Sequence, residues 1–175
     1  MLHFPSWTIK RQTERMIPVS ITGVRVELPS TQPVVLVGEI EGNRQIPIWI
    51  GAPEASAIAM AQQGIETERP LTHDLFINTL AATGVSIDRV EINRVEGAVF
   101  YSSLVLSNGS RIDARTSDAL ALSLRAGAPV FCDESVMEET GIVPERVDDD
   151  VIEDEEKLKE FREFLDTIDP EDFAS

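Results

Sequence analysis

GAVFYSSLVLSNGSRIDARTSDALALSLRAGAPVFC, residues 97–132, changes its hydrophobic period twice within one run. The first part, GAVFYSSLVL, carries the aromatic and branched residues that suit a pleated strand. Asn108-Gly109 then predicts a two-residue hairpin turn. In the strand that follows, Arg111, Asp113 and Arg115 share one face, and Ile112 and Ala114 the other. TSDALALSLRAGAP reads as a helix, with Thr116 as its N-cap, Asp118 in its first turn and Gly127 as its stop. PVFC is a short strand again. Strands and helices thus follow one another within one short run.

Upstream, VSITGVRVEL (19–28) alternates like a strand, with a slip at Thr22-Gly23 that predicts a bulge. PVVLVGEI (33–40) and RQIPIWIG (44–51) follow after short links, so three consecutive strands predict an antiparallel meander. PEASAIAMAQQG (53–64) is a helix rich in Ala and Ser that can pack closely on a sheet, with Glu54 in its first turn. A second helix runs from about Leu71 to Thr83, with Thr72 as N-cap and Leu75, Phe76, Thr79 and Leu80 as its buried face. SIDRVEINRV (86–95) is another strand, and DESVMEETG (133–141) a short helix capped by Asp133. The expected architecture is a largely antiparallel sheet with helices on one side, in a single compact domain. Residues 1–18 read as a loose extension, 19–142 as the body, and 143–175 as an acidic linker with an amphipathic C-terminal helix carrying Leu158, Phe161, Leu165 and Ile168. Met16 is an alternative start for the folded unit.

At 175 residues the chain suits one domain, and a body of this size buries roughly two thirds of its unfolded surface without a staple. Cys132 is the single cysteine, so no internal disulfide forms, and a reducing, cytoplasmic setting is expected. No run is long and apolar enough to span a membrane. The formal charge of −16 is uneven: residues 133–175 hold 18 Asp/Glu against 4 Lys/Arg, whereas residues 1–132 hold 13 against 11. The body is therefore close to neutral and the tail strongly acidic.

The chain has no P-loop, no GxGxxG after a strand, no GxSxG and no HExxH. His3 and His73 are its only histidines, which excludes a histidine-rich metal site. Polar residues gather at two helix starts. One holds Arg69, Thr72, His73 and Asp74; the other holds Asp113, Arg115, Thr116, Ser117 and Asp118. Carboxylates can hold Mg²⁺ or Mn²⁺, guanidiniums suit phosphate, and helix N-termini attract anions. If the fold joined the two starts, Asp74, Asp113 and Asp118 would be candidate metal ligands. Arg69, Arg115 and Ser117 would be phosphate contacts, and His73, with those carboxylates, would serve catalysis. The structural alternative is helix capping and surface ion pairs. No organic cofactor is expected.

IPIWIGAPEASAIA (46–59), RPLTHDLF (69–76), GAVFYSSLVL (97–106) and IDARTSDALALSLRAGAPVF (112–131) together resemble the bifunctional nuclease family, formerly a domain of unknown function. The likeness runs from about Val19 to Gly141, and KEFREFLDTIDPEDF (159–173) resembles the C-terminal ends of actinobacterial members. The resemblance implies a compact α+β domain that self-associates, as a homodimer or larger homo-oligomer, and a nuclease active on DNA and RNA. Its shared polar residues match Arg69, His73, Asp74, Asp113, Arg115, Ser117 and Asp118 here. Three readings stay open: a metal-assisted nuclease, a non-catalytic module that binds a small anion or a protein partner through the tail helix, and a scaffold. Against nucleic acid stands the scatter of the arginines (Arg44, Arg69, Arg89, Arg94, Arg111, Arg115, Arg125) with no aromatic-basic stripe along the sequence. An acidic tail that covers the arginine-bearing face would reconcile the two, and removing residues 145–175 would then raise nucleic-acid affinity.

Overall fold

The structure, a computed structural model, describes residues 15–26 and 31–144; the expected acidic linker and C-terminal helix lie almost wholly outside them. Two antiparallel meanders build one seven-stranded sheet. The first is β1 (Met16–Val26), β2 (Pro33–Glu39) and β3 (Gln45–Trp49); the second is β4 (Ile87–Glu96), β5 (Val99–Leu106) and β6 (Arg111–Arg115). The short strand β7 (Val130–Asp133) joins them, antiparallel to β1 and parallel to β4, giving the order β3-β2-β1-β7-β4-β5-β6. The expected bulge in β1 is present, as a register shift between Ile21 and Gly23.

Two local expectations are corrected. β1 starts at Met16, not Val19: Met16, Ile17 and Pro18 pair with Asp133, Cys132 and Phe131, and so belong to the sheet rather than to a loose extension. The edge of β7 supplies partners that local sequence could not reveal. The Asn108-Gly109 hairpin has a three-residue connection. Leu106 N–H donates to the Ser110 carbonyl and Gly109 N–H to the Leu106 carbonyl, both at 2.9 Å. A two-residue type I′ turn needs left-handed backbone at both central residues, and here only Gly109 has it (φ 84°). Asn108 instead accepts the Ser110 N–H at 3.0 Å through its side chain.

Four helices complete the domain: α1 (Ala52–Gln62), α2 (Thr72–Ala82), α3 (Thr116–Ala126) and α4 (Glu134–Thr140). α3 is the central one. Its Ala119, Leu120, Ala121 and Leu122 are buried in one core with Ala55, Ala57 and Ile58 of α1, Val136 and Met137 of α4, and the inward residues of the sheet. The small residues of α1 allow the close approach to α3 that its composition suggests. α2 differs from expectation. Leu75 (57% exposed) and Phe76 (38%) face outward, and Thr79 is exposed too. The residues turned toward the body are His73, Asp74, Ile77 and Leu80, a clean helical stripe whose first two members are polar. The caps differ as well. Thr72 and Thr116 are first helical residues, with Leu71 and Arg115 at the N-cap positions. Thr116 turns its hydroxyl inward, 2.7 Å from Ser102 Oγ and 3.1 Å from the Phe100 carbonyl. Asp133 does cap α4, accepting the Ser135 N–H at 2.9 Å.

A candidate functional site at three helix starts

Each of the three long helices carries a carboxylate as its third residue: Glu54 in α1, Asp74 in α2 and Asp118 in α3. An acid there complements the positive end of the helix dipole. Packing of α1 and α2 on α3 gathers these acids, and arginines of α3 and its N-cap neutralise them. Arg115 Nε lies 2.7 Å from Asp118 Oδ2, and its Nη2 lies 3.1 Å from Asp118 Oδ1 and 2.9 Å from Glu54 Oε1. Asp118 Oδ1 also meets His73 Nε2 at 3.2 Å. Thus Glu54, Arg115, Asp118 and His73 form one continuous polar chain across α1, α3 and α2.

Beside it, Arg125 Nε donates to Asp74 Oδ1 at 2.7 Å while its Nη1 donates to the Ala121 carbonyl at 3.0 Å. Asp74 Oδ2 accepts the Leu71 N–H at 2.9 Å, closing the first turn of α2. Asp74 and His73 therefore bind α2 to two points of α3, seven residues apart.

These partners set the electrostatics. Burial alone would raise the Asp118 pKa, but the hydrogen bonds from Arg115 and His73 outweigh it and hold the carboxyl below the usual range. Asp74 behaves alike: burial is overcome by the Leu71 N–H and by Arg125. Asp118 and Glu54 push the Arg115 pKa up. The His73 side chain is only 16% exposed, whereas that of Arg115 is 67% exposed, so the cluster shows solvent mainly a guanidinium.

The structure thus brings together His73, Asp118 and Arg115, with Asp74 adjacent through its own arginine. It does not bring in the rest. Asp113 is exposed on the sheet face opposite to the inward Ala114 and takes no part in either network. Arg69 lies exposed in the loop before α2, where its carbonyl accepts the Thr67 hydroxyl at 2.6 Å. Ser117, the second residue of α3, does not join the chain of contacts. No group of three His, Cys, Asp or Glu side chains among the described residues could hold a metal ion. The oxygens of Asp74 and Asp118 already face cationic or N–H donors, so these carboxylates as placed do not fit Mg²⁺ or Mn²⁺. Two members were missed or underrated in the sequence. Glu54 showed only its first-turn position, and Arg125 lies at i+7 from Asp118, on the same face of α3; that spacing was its one visible signal.

No helix among the described residues is long and apolar enough to cross a membrane. A family model described as the bifunctional nuclease domain matches residues 34–145, so it takes in all three helix starts. Two uncharacterized proteins of Mycobacterium tuberculosis, from two strains, are each 42% identical over 160 residues, covering 90% of this chain and 98% of theirs. With a family model spanning most of the chain and relatives alike along nearly their whole length, the chain belongs to the bifunctional nuclease domain family.

Proposed function

We propose that this protein cleaves phosphodiester bonds in DNA and RNA at the cluster where α1, α2 and α3 begin. One observation carries the reading: an imidazole held on a carboxylate, His73 on Asp118 at 3.2 Å, beside the largely exposed guanidinium of Arg115. Imidazole is the side chain suited to carrying protons near neutrality. Asp118 holds its ring through Nε2, and Nδ1 is the nitrogen left to exchange a proton. Arg115 offers a planar fork for a phosphate and for the charge that develops on it. Arg69, exposed in the loop that leads into α2 and outside the cluster, is a second cation for the phosphates of the substrate. This reading routes no step through a metal ion.

A second reading has its own observation. The oxygens of Asp118 and Asp74 are taken up by α3, its N-cap and the α2 backbone, which is also how a purely structural clamp would look. The cluster would then bind an anion through Arg115 without turning it over.

The deciding experiment is cleavage of labelled single-stranded DNA and RNA by the purified full chain, with Mg²⁺, Mn²⁺ or EDTA. His73→Gln and Arg115→Gln are expected to lose at least about 100-fold in rate, the scale of a lost general acid or base for the first and of a lost charge-stabilising donor for the second. Asp113→Asn, outside the cluster, is expected to cleave like the parent. Equal cleavage by all four proteins would place the activity elsewhere. Absence of cleavage by a folded parent, with retained oligonucleotide or phosphate binding, would favour the non-catalytic module.

A further inference from the structure

The arginines that look scattered along the chain are neighbours on the sheet. Side chains alternate along a strand, and on β6 the inward residue Ala114 packs on the core, so Arg111 and Asp113 project from the opposite face, while Arg115, at the end of the strand, turns its guanidinium to Asp118 and Glu54 at the helix starts. Register carries that face across β5 to β4. Arg111 lies opposite Val105 and then Arg89; Asp113 opposite Ser103 and then Glu91; Arg115 opposite Tyr101 and then Arg94. The result is a grid of three rows, with cations at both ends of the first and third rows.

Two features make this more than a solvated charge pattern. Glu91 is only 8% exposed in its side chain, yet it lies under two arginines that are about half exposed: it accepts from Arg89 Nε at 2.7 Å and from Arg111. A buried carboxylate is tolerated because two cations neutralise it. In return it holds both guanidiniums at a set spacing, each with further N–H donors to offer. In the other charged row the Arg94 guanidinium lies over the Tyr101 ring, 3.8 Å from its centroid. That face of the ring is thus covered by a flat cation, itself paired with Glu96 at 2.8 Å, and a base stacks there by taking the place of the guanidinium, which is then free for a phosphate. Arg115, cross-strand from Tyr101, is the same residue that holds Asp118 beside His73.

We infer that the outer face of β4, β5 and β6 is a platform for single-stranded nucleic acid, with Tyr101 stacking a base and Arg89, Arg94 and Arg111 contacting phosphates. The platform leads to Arg115, and so to His73. Single strands are the class that fits, because a stacking ring needs an unpaired base and scattered cations need only a flexible backbone. That the track ends at a cleavage site rests on the proposed function; that the face binds the strand does not.

The test is fluorescence anisotropy of a short labelled oligothymidylate and oligouridylate with the full chain, at low salt and in EDTA. Tyr101→Ala is expected to weaken binding by about 5- to 160-fold, the range for loss of one stacked base. Tyr101→Phe, which keeps the ring, should stay within about twofold of the parent. Arg94→Gln should flatten the dependence of log affinity on log salt by about 0.7, one phosphate contact on a single strand. No binding by the folded parent, or equal affinity in Tyr101→Ala, would overturn the platform. If Tyr101→Ala fails to fold, an unchanged affinity and salt slope in Arg94→Gln overturns it instead. Oligoglutamate competing as well as oligothymidylate would mark a surface for acidic peptide and would also overturn it. Tyr101-dependent binding with no cleavage by any protein would leave the platform standing and remove the nuclease reading. Cleavage that needs His73, with binding indifferent to Tyr101, would do the reverse.

Discussion

Asp118 accepts from two different cationic side chains or their precursors, Arg115 through a fork and His73 through Nε2. Asp118→Asn would keep the size but weaken both contacts, and we expect a loss of about 1 kcal/mol in urea unfolding, since the site is partly solvated. Asp74 and Arg125 form the tighter pair, because the arginine side is almost covered. A double-mutant cycle with Asp74→Asn and Arg125→Gln should show a coupling of about 1 kcal/mol. Both aspartates, and Glu91, have pKa values held below their unfolded values. Their contribution to stability is therefore complete above about pH 5 and is lost as pH falls through about 4 toward the folded pKa values. Urea midpoints from pH 7 to pH 3 should fall steeply at the acid end, and less steeply in Asp118→Asn. At this scale the sequence was legible in part. Its first-turn acids marked the positions of Asp74 and Asp118, but their bonds to Arg125 and His73 join residues 51 and 45 positions apart, which no local spacing predicts.

α2 is the helix held most lightly. None of its residues is buried, whereas α3 buries six, so its anchorage is divided between Ile77, Leu80 and the two polar bonds of its first turn. Native-state hydrogen exchange should show α2 opening at lower free energy than α3. The apolar residues Leu75 and Phe76 suggested a buried face in the sequence, but the helix turns them outward because His73 and Asp74 find partners on α3. Composition alone could not show that a polar bond would set the rotation of the helix. The helix ends are better encoded. Gly127 takes left-handed backbone (φ 64°) beyond α3, and Gly127→Ala should cost about 1 kcal/mol. Gly141 is needed for a different reason: its backbone is extended (φ −70°), but a Cβ there would press on the Met137 carbonyl. Gly141→Ala should cost about 1–3 kcal/mol, measured as a shift in the denaturation midpoint at unchanged slope.

At the scale of the whole molecule, β7 decides the architecture. Only four residues long, it lies at the centre of the sheet and connects the two meanders. Cys132 on this strand is fully buried, and burial pushes its thiol up to about 12. It should stay unlabelled by a thiol reagent in the native protein and react at the rate of global unfolding, since exposing it requires parting β1 from β4. Labelling much faster than unfolding would show that the sheet opens locally at its centre.

The sequence by itself determined most of the elements, the first meander, the hairpin at Asn108-Gly109, the bulge in β1, the left-handed stop of α3 and the family resemblance, because each rests on periodicity, turn chemistry or an ordered set of motifs. Only the tertiary structure decided where β7 lies, which way α2 faces, that Asp113 parts from Asp118, and that arginines of separate strands share one face with Tyr101. Those outcomes depend on contacts between residues far apart in the chain, and such contacts exist only once the sheet is closed and α3 is packed against it.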